Sequence, residues 1–286
     1  MFRTNDPDAL LAHFTAAERV RASIDEFIAN SLTIPLFCSV CRDFTTGFVR
    51  QPENGDWVDL RDTVVCDRCL FSSRFRLLID HVLREAGQAL SDGDTLLFER
   101  VTLLHDWFSA RAGNLMAVEF GGAHLAPGAS FEQNGMTIRN EDMQRISFDS
   151  DSFDLVVHAD VLEHVPDPFR GMSEVFRVLR PGGRCVFACP VYTQKKHQRR
   201  AYLDSQGELL FTNGPVFHGD PLRAEGVPVF YEFGLELVEN LAEIGFEAEM
   251  VVDHSICEGY VSNNNPYSFG LMWPIIFSCR KPAPSQ

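Results

Sequence analysis

The sequence predicts an α/β protein, a doubly wound and mostly parallel sheet preceded by a small cysteine module. Three observations predict it. The stretch Phe148–Pro190 (FDSDSFDLVVHADVLEHVPDPFRGMSEVFRVLRPGGRCVFACP) reads as strand, loop, helix, Gly-rich turn and strand, one β-α-β crossover. Short apolar runs at Asp94–Phe98, Leu115–Val118 and Met136–Arg139 supply further strands upstream of it. Two Cys-x-x-Cys pairs, Cys38/Cys41 and Cys66/Cys69, stand before all of these.

In chain order, Pro7 to Asn30 is an amphipathic helix, with Leu10, Phe14, Ala17, Val20, Ile24, Phe27 and Ile28 at helical spacing. Its apolar stripe can pack on the body of the protein, cover an active site or hold a second subunit in a homodimer. The cysteine pairs follow, with 24 residues between Cys41 and Cys66. Each pair places two thiolates on one tight turn, the arrangement tetrahedral zinc requires. The interval predicts a hairpin in which Phe48-Val49-Arg50 and Trp57-Val58-Asp59-Leu60 flank an Asn54-Gly55 turn. Four thiolates leave no open coordination position, so Cys38, Cys41, Cys66 and Cys69 make a structural Zn2+ site. A redox dithiol pair and an iron–sulfur cluster are the alternatives. Disulfides do not suit a reducing compartment. Cys185, Cys189, Cys257 and Cys279 read as core residues in or near strands.

A helix bearing Arg74, Phe75, Arg76, Leu78, Ile79, Val82 and Leu83 should end near Gly87. Arg74 and Arg76 can reach a substrate or the module's carbonyls. The strand Asp94–Phe98 leads into Phe98-Glu99-Arg100-Val101-Thr102, a turn without glycine, and Thr102 is placed to cap a helix running to Arg111. In the crossover, Leu155-Val156-Val157 is a strand buried on both faces, and Asp167-Pro168 caps a helix whose stripe is Met172, Val175, Phe176 and Leu179. Pro181-Gly182-Gly183 should stop that helix before the strand Arg184–Cys189. From 191 to 231 there is little periodicity, as in a lid or substrate-pocket insertion. A last large helix ends at Gly245, and Glu247–Asp253 and Ile275–Cys279 are closing strands.

Composition sets limits. The 286 residues are 45% hydrophobic and 23% charged, with a formal net charge of −15. No basic-then-apolar leader and no span-length apolar stretch is present, so a cytoplasmic location is expected. The acidic balance repels polyanions at long range and speaks against nucleic acid as a partner. The one basic cluster, Lys195 to Arg200, is either a solvated loop or a clamp for an anionic substrate.

The run FDLVV, DVLEHV and VLRPGG resembles the second half of a class I S-adenosylmethionine-dependent methyltransferase of the type 11-like group. The two knuckles followed by an Arg-bearing helix start resemble a bacterial subgroup with an N-terminal four-cysteine zinc ribbon. The resemblance implies a seven-stranded sheet closed by an antiparallel pair. It implies a helix over 1–35, a ribbon over 36–73 and a catalytic domain over 74–286. It implies S-adenosyl-L-methionine as cofactor, with Glu119 on the ribose hydroxyls beside Phe120, and Asp142 and Met143 at the adenine. Where the family has a glycine-rich first turn, this chain has Glu99, placed to accept from the cofactor's ammonium group. His158 and Asp160 fall near the transferable methyl by topology. His218 in the insertion is a candidate general base, and His164 is either a second catalytic histidine or a satisfied core residue. The expected activity is methyl transfer, to oxygen or nitrogen, of a small-molecule or sugar acceptor. The rivals are an RNA methyltransferase that grips its substrate through the ribbon, and a non-catalytic interaction protein on the same scaffold.

Overall fold

The computed structural model describes residues 1–50, 59–261, 266–267 and 270–284. The chain opens with strand β1 (Phe2–Thr4) and helix α1 (Pro7–Ala29), whose N-cap Asp6 accepts from the Asp8 amide with proline in the first turn. Strands β2 (Thr33–Cys38) and β3 (Asp43–Val49) form a hairpin. A one-turn helix α2 (Leu60–Thr63) then feeds β4 (Val64–Cys66), which pairs with β3 and completes a three-stranded sheet. The expected hairpin partner at Trp57–Leu60 is therefore corrected: Asp59 caps α2, Leu60 is helical, and Val49 pairs with Val64. Asn54, Gly55, Trp57 and Val58 lie outside the described residues.

Helix α3 (Ser73–Asp92) runs past the stop expected at Gly87. Its backbone leaves helical geometry at Ala86 (φ −136°), recovers, and ends at Gly93, whose amide returns to the Ala89 carbonyl. The alternating half follows: β5 (Asp94–Leu97), α4 (Leu103–Ser109), β6 (Asn114–Glu119), the hairpin β7 (Ser130–Gln133) and β8 (Met136–Asn140), β9 (Phe153–Ala159), α5 (Pro168–Val178) and β10 (Leu179–Ala188). β10 begins directly at the end of α5, and Pro181-Gly182-Gly183 forms an irregularity inside this strand rather than a stop before it.

The insertion is not unstructured. It folds into three two-stranded ladders: β11 (Gln198–Arg199) with β16 (Tyr231–Glu232), β12 (Ala201–Leu203) with β13 (Leu209–Phe211), and β14 (Phe217–His218) with β15 (Val227–Pro228). Helix α6 (Leu237–Ile244) ends on Gly245 at φ 117°, a left-handed cap that suits glycine. β17 (Glu247–Val252), the short pair β18 (Pro266–Tyr267) and β19 (Gly270–Leu271), and β20 (Ile276–Arg280) complete the chain.

The main sheet has the order β1-β17-β20-β10-β9-β5-β6-β8-β7. Its centre, β10-β9-β5-β6-β8, is parallel, and β20 and β17 close it antiparallel as expected. Two strands beyond the expected seven sit at its edges, β7 and β1. The first residues are thus part of the main sheet rather than of a lone N-terminal helix. Alternation along the strands fills two cores. Leu96, Val156, Cys185 and Phe187 meet α1, α5 and α6, while Leu97, Leu155, Val157 and Val186 meet α3 and α4.

α1 joins the sheet to the cysteine module. Leu10 and Phe14 enter the main core, with Phe14 stacked on Trp273 at 3.9 Å, while Ile28 enters the module's own cluster with Leu36, Val64 and Val261. On the other side Arg76 donates to the Glu258 and Gly259 carbonyls, and Ser39 shares a 2.6 Å hydrogen bond with Tyr260. Arg76 is therefore a buried brace to the loop after β17. Cys185, Cys189 and Cys279 are core residues, but Cys257 is exposed on a 3-10 turn. No helix among the described residues is long and apolar enough to cross a membrane.

Candidate functional site

The strand order reverses between β5 and β9: from β5 the chain steps outward to β6 and β8, then returns across to β9 and β10. Ligands of open α/β sheets bind outside the carboxyl ends of the strands at such a point. Glu99 follows β5 there, Glu119 ends β6, and Asp160 follows β9.

Glu99 is held by the turn it begins. One carboxylate oxygen accepts from the hydroxyl of Thr102, the residue that caps α4. The other oxygen is buried and makes no hydrogen bond to a described residue. Burial pushes Glu99 up to about 8, with Thr102 opposing. Glu119 accepts from the Arg100 amide at 2.9 Å, so a side chain from β6 fastens the glycine-free turn. Its carboxyl is also raised by burial. Phe120 projects an exposed ring, and its carbonyl accepts from Arg223 of the insertion. The Glu141 amide donates to the Glu119 carbonyl at 2.9 Å, which draws the ends of β6 and β8 together. Asp142 stands there with one oxygen accepting from the Gln144 amide at 2.9 Å, and the Met143 side chain is buried under α5 against Gly171.

Asp160 takes a left-handed conformation (φ 52°), and its amide donates to the Ala188 carbonyl at 2.9 Å. Its carboxylate is bound by Arg74, which also grips Asp62. Burial works against the Arg74 charge, but the two aspartates outweigh it and its pKa is raised. Thus one guanidinium on α3 links α2, inside the cysteine module, to the carboxyl end of β9. The sequence points to Arg74 but not to this partner.

His158 is corrected. It points into the core, stacked on Phe187 at 4.4 Å, with neither ring nitrogen bonded to a described residue. Burial lowers it to about 3, so it is a neutral packing residue. In the basic cluster, Lys196 and the His197 amide bind Glu236, and Arg199 lies over Tyr202 and Tyr231, an arrangement that accords with the solvated-loop reading.

The two candidate catalytic histidines do converge, on a carboxylate to which the sequence assigns no role. Glu163 is 1% exposed, with its oxygen Oε1 3.6 Å from His164 Nε2 and 3.7 Å from His218 Nδ1. The rings of His164 and His218 meet edge to face at 5.0 Å. The only sequence signal was adjacency, an acid beside a histidine just past a strand at the switch point.

In the cysteine module, the four sulfurs lie within 4.8 Å of one another, with Cys38 to Cys69 at 3.7 Å and Cys41 to Cys66 at 3.9 Å. Sulfurs at tetrahedral corners about 2.3 Å from zinc stand about 3.8 Å apart. The Cys41 amide faces Cys38 at 3.4 Å and the Thr45 hydroxyl faces Cys66 at 3.5 Å, as donors to thiolates would. The residues fit a closed zinc site.

Residues 102–187, from the cap of α4 into β10, match the methyltransferase domain family. A 58-residue stretch is 43% identical to 2-methyl-6-phytyl-1,4-hydroquinone methyltransferase 2, chloroplastic, of Oryza sativa subsp. japonica, covering 20% of this chain and 17% of that protein. A 52-residue stretch is 44% identical to demethylmenaquinone methyltransferase of Clavibacter sepedonicus, covering 17% of this chain and 21% of that one. The chain therefore spans about a fifth of the length of these curated relatives. A solved S-adenosylmethionine dependent methyltransferase from Mesorhizobium loti is 16% identical, covering 71% of this chain and 97% of that one at a TM-score of 0.41. The family match thus covers the part of the chain that runs from α4 through the switch point into β10, and the acids Glu119 and Asp160 at the carboxyl ends of β6 and β9 fall inside it.

Proposed function

We propose that the protein is an S-adenosylmethionine-dependent methyltransferase acting on a small-molecule or saccharide acceptor, at oxygen or nitrogen. The observation that carries this reading is the buried, unpartnered oxygen of Glu99 at the switch point, with the Glu119 carboxylate at the end of the neighbouring strand. A buried carboxyl group whose second oxygen lacks a partner in such a place is matched to a ligand that brings a cation and so favours its ionised form. In this reading Glu99 accepts from the ammonium of the cofactor's amino-acid end. Glu119 accepts from ribose hydroxyls through the oxygen that Arg100 leaves free. Asp142 and the backbone at Met143 bind the adenine edge, and Phe120 and Arg223 form the roof.

When bound, the cofactor supplies an electrophilic methyl on a sulfonium. The protein's contribution is to hold the acceptor atom in line with that methyl and to exclude water, which accounts for most of the rate such a transfer requires. Asp160, fixed by Arg74, borders the place where the two substrates meet. His164 and His218 stand on the acceptor side. The partly similar proteins are named for hydroquinone and demethylmenaquinone acceptors, which favours a small molecule. The ribbon over 36–73 serves as a zinc-held structural unit, and the domain over 74–286 binds both substrates.

Calorimetric titration with S-adenosylmethionine and with S-adenosylhomocysteine tests this. One site is expected, weakened by Glu119→Ala by roughly 1.5–3 kcal/mol, the scale of hydrogen bonds to a charged group. Wild-type affinity in that variant, or no binding by the folded, zinc-loaded protein, refutes the assignment.

A further inference from the structure

We propose that Glu163, His164 and His218 bind a divalent ion of the first transition row, beyond the carboxyl end of β9. The three donor atoms lie within 4.8 Å of one another. Two imidazoles and one carboxylate are a mixed nitrogen and oxygen set that such ions take with coordination positions left open.

Hydrogen-bond accounting makes the case. His164 Nδ1 lies 2.8 Å from the Pro228 carbonyl oxygen. A carbonyl can only accept, so Nδ1 is the donor in this bond and Nε2 is the ring atom turned towards Glu163. Glu163 is 1% exposed, and neither of its carboxylate oxygens has a hydrogen bond to a described residue. A buried imidazolium–carboxylate pair would close to about 2.8 Å. Both imidazoles instead stand at 3.6 and 3.7 Å, too far for hydrogen bonds. The three groups face one another across a gap that no hydrogen bond closes, and a cation answers it.

The surroundings fit the same purpose. A backbone carbonyl behind one ring nitrogen is the usual way a metal-binding histidine is oriented. That carbonyl belongs to β15, and the same ladder supplies the third ligand, since Phe217 pairs with Pro228 and His218 with Val227. Donors sharing an ion at about 2.0–2.2 Å stand roughly 3–3.5 Å apart, so from its 3.7 Å separation His218 closes on Glu163 by about half an ångström on binding. It is 39% exposed on a two-residue strand, where such a movement meets little packing. Glu163 and His164 themselves sit on the 3-10 turn directly after β9, three and four residues beyond Asp160.

The role at the acceptor rests on the methyl-transfer reading; the ion site does not. A hydroxyl acceptor bound to the ion loses its proton to solvent at neutral pH because the cation stabilises the oxyanion. The oxygen then forms the new bond to the methyl carbon. The sulfur–carbon bond breaks with its electron pair remaining on sulfur, and a neutral thioether leaves. A histidine holding the ion through its lone pair does not accept that proton, so this assignment replaces the general-base role of His218.

The test is titration of the zinc-loaded full chain with Mn2+, followed by loss of the free-ion electron paramagnetic resonance signal. Mn2+ leaves the thiolate site to zinc. The expected result is one Mn2+ per chain, weakened by roughly tenfold or more in His218→Ala and Glu163→Gln, with unchanged zinc content. If Glu163→Gln does not fold, His218→Ala decides alone, because its side chain is on the surface. Absence of Mn2+ binding, or equal binding by wild type and His218→Ala, overturns the proposal. Mn2+ binding without any affinity for S-adenosylmethionine upholds the ion site and refutes the methyl-transfer reading.

Discussion

Replacing Glu99 with glutamine should make the protein more stable, and by an amount that grows with pH. The carboxyl titrates near 8 in the folded chain against an ordinary value of 4.5, chiefly because burial penalises the charge. The sign follows from which state holds the proton. Between pH 4.5 and 8 the unfolded chain has released it while the folded chain keeps it, so stability is fully present below 4.5 and is lost as pH rises through 8. Each unit in that window costs about 1.4 kcal/mol, which gives a limit of roughly 5 kcal/mol across it. Between pH 6 and pH 8.5 the wild type should lose about 2.5 kcal/mol through this group alone. Glutamine keeps the shape and the bond to Thr102 but does not titrate. The assay is denaturant unfolding of both zinc-loaded proteins at the two pH values. The stability gained by the variant should be about 2–3 kcal/mol larger at pH 8.5 than at pH 6. A gain equal at both values within about 0.5 kcal/mol would show that Glu99 ionises normally and is not the strained acid of a cation site. The same substitution should weaken S-adenosylmethionine binding, a trade of stability for function common at binding sites.

Other consequences can be measured separately. Phe14→Ala removes a ring that is 4% exposed and stacked on Trp273, and should cost about 3–4 kcal/mol in calorimetric unfolding. Arg74→Ala leaves Asp160 and Asp62 facing one another without their shared cation, a loss of about 3 kcal/mol; Asp160→Asn in the same chain should recover part of it, and strict additivity in that double-mutant cycle would deny the coupling. Stripping zinc with a strong chelator, or Cys66→Ser, should lower the melting temperature and expose the small core of Leu36, Val64 and Val261; one zinc per chain by elemental analysis is the starting point, and an unchanged melt after its removal would rule out a structural role.

The α/β class, the closing antiparallel pair, the cysteine module and the acids Glu99 and Glu119 were legible in the sequence by itself. Each is written in a short window: an apolar run at strand length, a cap with proline, two thiols on one turn, a carboxylate directly after a strand. Burial along a strand alternates with period two and along a helix with period 3.6, so local pattern is enough to find these elements. Local pattern misled where the competing force was long-range. His158 looks like a strand-end ligand until Phe187, 29 positions away in sequence, is seen stacked on its ring. The run Lys195 to Arg200 leaves a solvated loop and an anion clamp both open until Glu236 arrives from the far side of the insertion to neutralise part of it.

Only the tertiary structure decided which distant residues come together. β1 reaches the edge of the main sheet because its partner, Val252, lies 250 positions later. Arg74 meets Asp160 because α3 packs across β9 and β10. Glu163, His164 and His218 converge because a two-residue ladder in the insertion folds back onto the turn after β9 and fastens it through one carbonyl. Nothing in the 53 residues between His164 and His218 announces that return. The elements follow from nearest neighbours and burial, whereas the site depends on which distant loops the packing of those elements brings together.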